Sequence, residues 1–321
     1  MLLIAGAGRS GSTLLELMLD QVPGVFAVGE LTDIWAAALG RGERCGCGQP
    51  FAECRFWAQV GEHAFGGWER VDPERMLAAH DAVARNRQLP RLLAGAALPS
   101  FRARVDEYAG AVARIYDGVA AVSGSELIVD ASKWPSHAMV LRQIAGLDLR
   151  IVHLVRDPRA VAHSWAKELE RPHALDSRPE SGWREMRRDR PATSAAHWLA
   201  LNLGVEVVAM LGTPTHLLRY ERLIDAPRSS IEGVLAQAGW RERAGALDFI
   251  GDGSVRLAQG HGIAGNPSRF RTGEVRLSSG EEWRTELPRS ERALVSAMTL
   301  PLELVYRRRA ARESGLRRRL R

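Results

Sequence analysis

Leu2-Leu3-Ile4-Ala5 runs directly into Gly6-Ala7-Gly8-Arg9-Ser10-Gly11-Ser12-Thr13, and the chain continues as an amphipathic segment from Leu14 to Leu19. In that order, an apolar run, a glycine loop and an amphipathic segment read as strand, turn and helix start. The turn leaves successive backbone N–H groups aimed at one point at the positive end of a helix, which is a site for phosphate or sulfate. Three readings of the loop compete. Gly6, Gly8 and Gly11 satisfy G-x-G-x-x-G, and Glu30 follows about 20 residues later, as in a dinucleotide fold. Gly6 and Gly11 also have the spacing of an ATP-binding P-loop, but Ser12 stands where that loop needs the lysine that meets the β/γ-phosphates. In the third reading the loop holds one phosphosulfate, with Arg9 as a guanidinium fork and Ser10, Ser12 and Thr13 adding hydroxyls to the backbone amides around Gly11.

A second anion site lies far downstream. The stretch LRIVHLVRDPRAVAHSW (Leu149 to Trp165) delivers Arg156 from an apolar run, then places Asp157 as an N-cap and Pro158 in a first helical turn. Arg156 then stands at the carboxyl end of a strand, where open α/β sheets bind ligands. Two anion sites on one sheet imply a ligand with two separated anionic groups.

RSGSTLL (Arg9 to Leu15) and LVRDPRAVAHSW together resemble the two phosphate-binding motifs of sulfotransferases that use 3′-phosphoadenylyl sulfate, PAPS. Further similarity lies at VDASKWP (Val129 to Pro135), at LRYERL (Leu218 to Leu223) and at GHGIAGNPSRF (Gly260 to Phe270), the last like carbohydrate and bacterial members. The resemblance runs from residue 2 to about residue 305 and is weak over 41–125. It implies a single P-loop-like three-layer α/β/α domain with a central parallel sheet and a helical insertion, followed by a basic tail over 306–321. It also implies a 5′-phosphosulfate loop at Arg9 to Thr13 and a 3′-phosphate site at Arg156 and Ser164. Asn266 and Arg269 are expected to complete the nucleotide site, with Tyr220 stacking or hydrogen-bonding there. The reaction implied is transfer of a sulfuryl group to a hydroxyl or amine by in-line displacement, leaving PAP and requiring no metal.

Catalysis needs a base and a cation at the leaving oxygen. Glu30 in VGEL resembles the glutamate of the Gly-Glu motif in tyrosylprotein and carbohydrate sulfotransferases and is the candidate base; the structural alternative is a carboxylate capping a helix over Leu31 to Leu39. The chain departs from the tyrosylprotein members at Leu31, Thr32 and Asp33. His261 is the competing base, because many cytosolic sulfotransferases use a histidine. Lys133 is the candidate cation. Only Lys133 and Lys167 are lysines among the 44 basic residues, and both flank candidate anion sites. A compact ammonium can move among oxygens where a planar guanidinium cannot.

Short apolar runs near 2–5, 25–28, 126–130, 150–155 and 215–219 alternate with helical patterns, which argues for a parallel sheet covered on both faces. The excursion from Leu31 to Ser125 is mostly helical, with its longest patterns at Asp72 to Gln88 and Ser100 to Val122, and its topology suggests a substrate cover over 41–125. Its Trp35, Trp57 and Trp68 suit core packing better than a pocket wall. Arg171 to Pro191 reads as a mobile loop. Cys45, Cys47 and Cys54 with His63 offer a zinc-ligand set, yet C-x-C with six intervening residues before the third cysteine is not a standard spacing, so free thiols or one disulfide are expected. Similar cysteine-rich segments in bacterial relatives imply a local structural role near the cover.

At 321 residues and 45% hydrophobic, the chain can bury a full core. Its net charge of +6 comes from RRRAARESGLRRRLR (Arg307 to Arg321); the rest is close to neutral, so no nucleic-acid partner is expected, and the tail offers at most a weak surface contact. The sole N-terminal apolar run is four residues long, which points to a cytoplasmic enzyme without signal peptide or membrane span. Two other classes remain at this stage. A dinucleotide-dependent oxidoreductase leaves Arg156-Asp157-Pro158 and GNPSR unexplained, and a P-loop kinase would take Asp130 as its Mg²⁺ ligand. A noncatalytic nucleotide-binding module would lack Glu30 and Lys133. The acceptor, whether small molecule, carbohydrate, lipid or peptide, carries no readable code.

Overall fold

Leu2–Ala5 forms β1, whose four side chains are all buried because strands lie on both sides of it and helices on both faces. This computed structural model describes residues 1–95, 98–167, 188–240 and 246–319, with side chains to residue 311. The other strands of the main sheet are β2 (Val25–Ala27), β3 (Leu127–Lys133), β4 (Arg150–Val155) and β5 (Thr215–Arg219). All pair in parallel in the order β2-β3-β1-β4-β5, and each matches an apolar run of the sequence.

The alternation of side chains along β1 shows the layers directly. Leu3 and Ala5 face a core built with α2 (Arg55–Phe65), α5 (Pro99–Ser123) and α6 (Pro135–Leu141). Leu2 and Ile4 face the opposite core, built with α1 (Ser12–Leu19) and α10 (Pro227–Gln237). The architecture is therefore α/β/α around a parallel sheet. Strand order also removes the dinucleotide reading: in that fold the second strand of the chain neighbours the first, whereas here β3 stands between β2 and β1.

The excursion between β2 and β3 carries α2, α3 (Pro73–Val83), α4 (Leu89–Leu93) and α5, close to the helical patterns of its sequence. Leu31–Asp33 is a 3₁₀ turn followed by a π-helical segment, Ile34–Gly40, in place of one regular helix. Trp35 and Trp57 are fully buried and Trp68 packs against the same core. Beyond β4 come α7 (Pro158–Ala166), α8 (Pro191–Met210) and α9 (Tyr220–Asp225). The stretch expected to be a mobile loop, Arg171 to Pro191, falls outside the described residues up to 187.

A small antiparallel pair, β6 (Ser254–Leu257) and β7 (Gly273–Arg276), has no counterpart in the apolar pattern of the sequence. The short α11 (Trp283–Glu286) leads to the long α12 (Arg289–Arg319), which packs on α7 and α8. The expected division at 305/306 thus falls inside one helix. Arg307 pairs with Glu303 at 2.7 Å and Arg309 with Glu206 at 2.8 Å, so the first turn of the basic tail is held to the body by ion pairs.

β1 ends where its backbone meets that of β4. Gly6 has φ 138°, and a Cβ there would stand 2.4 Å from the carbonyl oxygen of Leu154. Gly6→Ala is expected to lose roughly 1–3 kcal/mol to backbone strain alone, read as a melting temperature several degrees lower; an unchanged melting temperature would contradict this joint.

Candidate active site

The loop after β1, the ends of β2, β3 and β4, and the loops around the β6–β7 pair enclose a cleft of ≈ 380 Å³. This is the carboxyl edge of the sheet, where parallel α/β folds bind ligands. Lining it are Arg9, Gly11, Ser12 and Thr13 from the loop, Glu30 after β2, Lys133 at the end of β3, and Arg156 and Ser164 from β4 and α7. Tyr220 and Asn266 also line it. The structure therefore brings ten of the twelve sequence-expected site residues into one cavity.

Gly11 caps α1 in a left-handed conformation (φ 95°), and a Cβ there would meet the Tyr220 ring at 2.4 Å. The Tyr220 hydroxyl donates to the Ser278 carbonyl at 2.7 Å, so this side chain supports the loop through its ring. That ring also underlies Arg156, whose guanidinium carbon sits 4.3 Å from its centroid. Arg156 donates to the carbonyls of Arg9, Ser279 and Gly280, each at 3.3 Å, and its Nε is buried with no hydrogen-bond partner. Arg9 lies over the Trp165 ring at 5.2 Å. Two guanidinium groups are thus fixed against aromatic faces in one cleft.

Lys133 and Glu30 form an ion pair, and Glu30 caps no helix by its side chain. Their positions follow from Asp130, three residues before Lys133 on β3. Asp130 is fully buried and accepts from Tyr116 Oη at 2.5 Å, from Ser132 N at 2.7 Å and from the Ser132 hydroxyl, with His137 Nε2 at 3.2 Å. Burial opposes ionisation of Asp130, but His137, Ser132 and Tyr116 outweigh it and hold the carboxyl below its usual range. Ser132 Oγ in turn accepts from Thr32 N at 3.1 Å, which ties the segment after Glu30 to β3. The network turns the end of β3 so that Lys133 adopts φ 68° and faces the cleft. Asp130 does not line that cleft, so the Mg²⁺ ligand that a kinase would need is absent from the position offered for it.

The sulfotransferase family matches residues 2–243 of the chain. This chain belongs to the sulfotransferase family. It is 28% identical over 331 residues to the nodulation protein NoeE of Sinorhizobium fredii (strain NBRC 101917 / NGR234), covering 98% of this chain and 68% of that one. Among solved structures it shares the fold of the sulfotransferase domain of the Synechococcus PCC 7002 olefin synthase, at 19% identity and a TM-score of 0.51 with 94% of each chain covered. As a sulfotransferase it is a transferase with a P-loop-like sheet, and the kinase and oxidoreductase readings fall away.

Several expectations within this sulfotransferase need correction. Ser10 lies under the loop, its hydroxyl buried and without a hydrogen-bond partner, instead of in the cleft wall. Arg269 is likewise absent from the wall, because its guanidinium is spent on the carbonyls of Ala264 and Arg44, the latter at 3.1 Å, and holds the Gly260–Phe270 loop in shape. Asn266 caps the Pro267–Phe270 turn by accepting from Ser268 N at 2.9 Å. His261 packs away from the cleft against three cysteines, which removes it as a base, and His63 is exposed on α2 and takes no part in that cluster. Lys167 is exposed near Glu286, outside the cleft. Among the described residues none of 41–125 lines the cavity, and the excursion packs as a layer over one face of the sheet. No described helix is long and apolar enough to cross a membrane.

Among the polar groups of the wall that carried no expected role are Asp33, Arg271, Arg276 and Ser278. Asp33 was legible as a carboxyl three residues after Glu30; the other three belong to a segment with no strand signal. Burial, reinforced by neighbouring Glu30, pushes the Asp33 carboxyl up to about 6, against the pull of Lys133 and Arg41. Behind the wall, Glu16 on α1 is 6% exposed and its pKa is raised to about 8, chiefly by burial and then by Glu30 and Asp20.

The folded protein therefore binds a proton at Glu16 that the unfolded chain releases near its ordinary carboxylate value, and stability falls as pH rises from about 4.5 to about 8. Glu16→Gln, which keeps the shape of the neutral acid, is expected to remove this loss. Melting curves of the variant and the parent should coincide near pH 5 and separate by several degrees in favour of the variant at pH 8.5. A variant less stable at both pH values would show that Glu16 is needed as a carboxylate.

Proposed function

We propose that this sulfotransferase takes its sulfuryl group from PAPS and passes it to a hydroxyl or amine acceptor by direct in-line displacement. The observation that carries the reading is the pair of anchored guanidinium groups, Arg9 at the α1 loop and Arg156 at the end of β4, in one cleft with Lys133 and Glu30. Five cations (Arg9, Lys133, Arg156, Arg271, Arg276) face two carboxyls (Glu30, Asp33) along the wall, which favours a ligand carrying several negative charges. The orphaned Nε of Arg156 fits the same kind of ligand, since a buried donor without a partner is costly unless an anion completes it.

In this reading Arg9, Ser12, Thr13 and the loop amides hold the 5′-phosphate, and Arg156 with Ser164 holds the 3′-phosphate. Glu30 takes the proton from the acceptor as its oxygen or nitrogen bonds to sulfur. The bond from sulfur to the bridging oxygen breaks, and Lys133 leaves Glu30 to neutralise the charge that collects on that oxygen, so that PAP departs with the electron pair. The Glu30–Lys133 pair in the resting site holds both groups in position before substrates arrive. Asp33 is the second candidate base: it lines the same cleft, and a pKa near 6 lies close to working pH.

Calorimetric titration with PAP, against NAD, ATP–Mg²⁺ and the 3′-dephosphorylated nucleotide, tests the donor. Micromolar affinity that requires the 3′-phosphate is the expected outcome, and preference for NAD or ATP would overturn the assignment. Arg156→Ala should weaken PAP binding about 10–100-fold, as loss of charged hydrogen bonds predicts. Glu30→Gln should leave PAP affinity within a few-fold and lower turnover about 10²–10⁴-fold. If Asp33→Asn abolishes turnover and Glu30→Gln does not, the base is Asp33.

A further inference from the structure

Cys45, Cys47 and Cys54 belong to the excursion, and His261 to the loop between β6 and β7 more than 200 residues later. Their ligand atoms nevertheless lie within 4.8 Å of one another. Cys54 Sγ is 3.6 Å from Cys45 Sγ and 3.7 Å from Cys47 Sγ, and His261 Nδ1 is 3.4 Å from Cys54 Sγ and 3.6 Å from Cys45 Sγ. Tetrahedral zinc with Zn–S near 2.3 Å and Zn–N near 2.05 Å requires edges of about 3.8 Å between sulfurs and about 3.5 Å between sulfur and nitrogen. The four measured edges match that figure. All three cysteines are free thiols, and sulfurs at 3.6 Å are far from the roughly 2.05 Å of a disulfide.

The surroundings hold these side chains where a cation would need them. Gly46 lies so close to the 260–262 backbone that a Cβ would stand 2.9 Å from the Gly260 carbonyl oxygen, and its amide donates to Gly262 O at 2.9 Å. Gly48 takes φ 82° and returns its amide to Cys45 O at 2.8 Å, which closes the turn that points Cys45 and Cys47 the same way. The His261 ring stacks on Phe56 with centroids 5.0 Å apart, and Trp57 Nε1 donates to His261 O at 2.8 Å. Cys45 and Cys54 are buried, at 0% and 1% exposure.

We propose that Cys45, Cys47, Cys54 and His261 bind one Zn²⁺ as a closed structural site. Three thiolates and an imidazole select a soft or borderline ion over Mg²⁺ or Ca²⁺, and four protein ligands leave no open position for substrate. The ion would take the place of the thiol protons, which leave on binding. Its effect is to clip the excursion to the loop that serves the cleft. Two residues beyond His261, Ile263 bridges to the main sheet, donating to Val28 O at 3.0 Å and accepting from Glu30 N at 2.9 Å, and Gly265 and Asn266 then line the cavity. Closing a loop of this length stabilises the folded chain by restricting the unfolded one. The site stands on its own geometry and does not depend on the identity of the sulfuryl donor.

Metal analysis of the purified full chain, prepared with reduced thiols, tests it. About one zinc per chain is expected, falling to near zero in Cys47→Ser and in His261→Gln. Because either variant can fold poorly, the parent chain is also stripped with a chelator and refilled with Co²⁺. Visible d–d absorption of tetrahedral intensity and a thiolate-to-cobalt charge-transfer band are expected, together with a higher melting temperature on refilling. Zinc content unchanged in both variants would place the metal elsewhere and overturn the proposal. So would a parent chain that takes up neither zinc nor cobalt, or one whose intact mass is lighter by two hydrogens, the mark of a disulfide.

Discussion

Contact of backbone with backbone at the carboxyl edge of the sheet is the constraint on which the rest of the molecule depends. At Gly6 the loop after β1 leaves against the carbonyl of Leu154, and at Gly29 a Cβ would stand 2.2 Å from Ile263 O. The first contact sets the anion loop beside β4, which carries Arg156; the second joins the end of β2, which carries Glu30, to the loop that carries Asn266. Neither joint tolerates a side chain, so the cleft is assembled from segments that are far apart in the chain but cannot move apart in the fold. Gly11, under the Tyr220 ring, adds a third fixed point at the start of α1.

Strain is concentrated on the same groups. Arg9 and Lys133 both adopt φ 68°, a conformation costing a non-glycine residue about 1–3 kcal/mol, and both face the cavity. Each is held there by surrounding structure. Arg9 rests on Trp165, whose ring also comes within 2.9 Å of the Cβ position of Gly8; Lys133 follows Ser132, which Asp130 fixes through backbone and side chain. The Asp130 cluster thus acts on the cleft through position alone: it is buried, saturated with donors and outside the wall.

Features that depend on local order were legible in the sequence. Short apolar runs alternating with helical patterns mark the strands of a parallel sheet, and all five strands of the main sheet fall on such runs. Arg156, Asp157 and Pro158 declared both a strand end and a capped helix, and Asp157 does accept from Arg159 N at 2.9 Å. What escaped was long-range pairing. The β6–β7 strands are only four residues each and β7 is mostly exposed, so Arg276 and Ser278 carried no signal of their role in the wall. His63, near the cysteines in sequence, was the natural fourth ligand; the fold supplies His261 instead, because the Gly46 turn docks on residues 260–262. Arg269 shows the converse error, for a motif arginine beside a binding loop can be consumed in shaping that loop.

In the excursion between β2 and β3, packing adds what topology alone leaves open. It leaves and re-enters the sheet at the cleft, which suggested a cover, yet the apolar faces of α2 and α5 bury Trp57, Val60, Val112 and Ile115 in the core over one face of the sheet. Helices committed to a core in this way have little surface to spare for a substrate. The apolar part of the wall comes instead from Leu14 and Leu17 on α1 and from Leu257 and Val275 on the β6–β7 pair. Selection of an acceptor is therefore expected to reside in the segment 254–278 and its packing on α1, which together supply those apolar side chains of the wall.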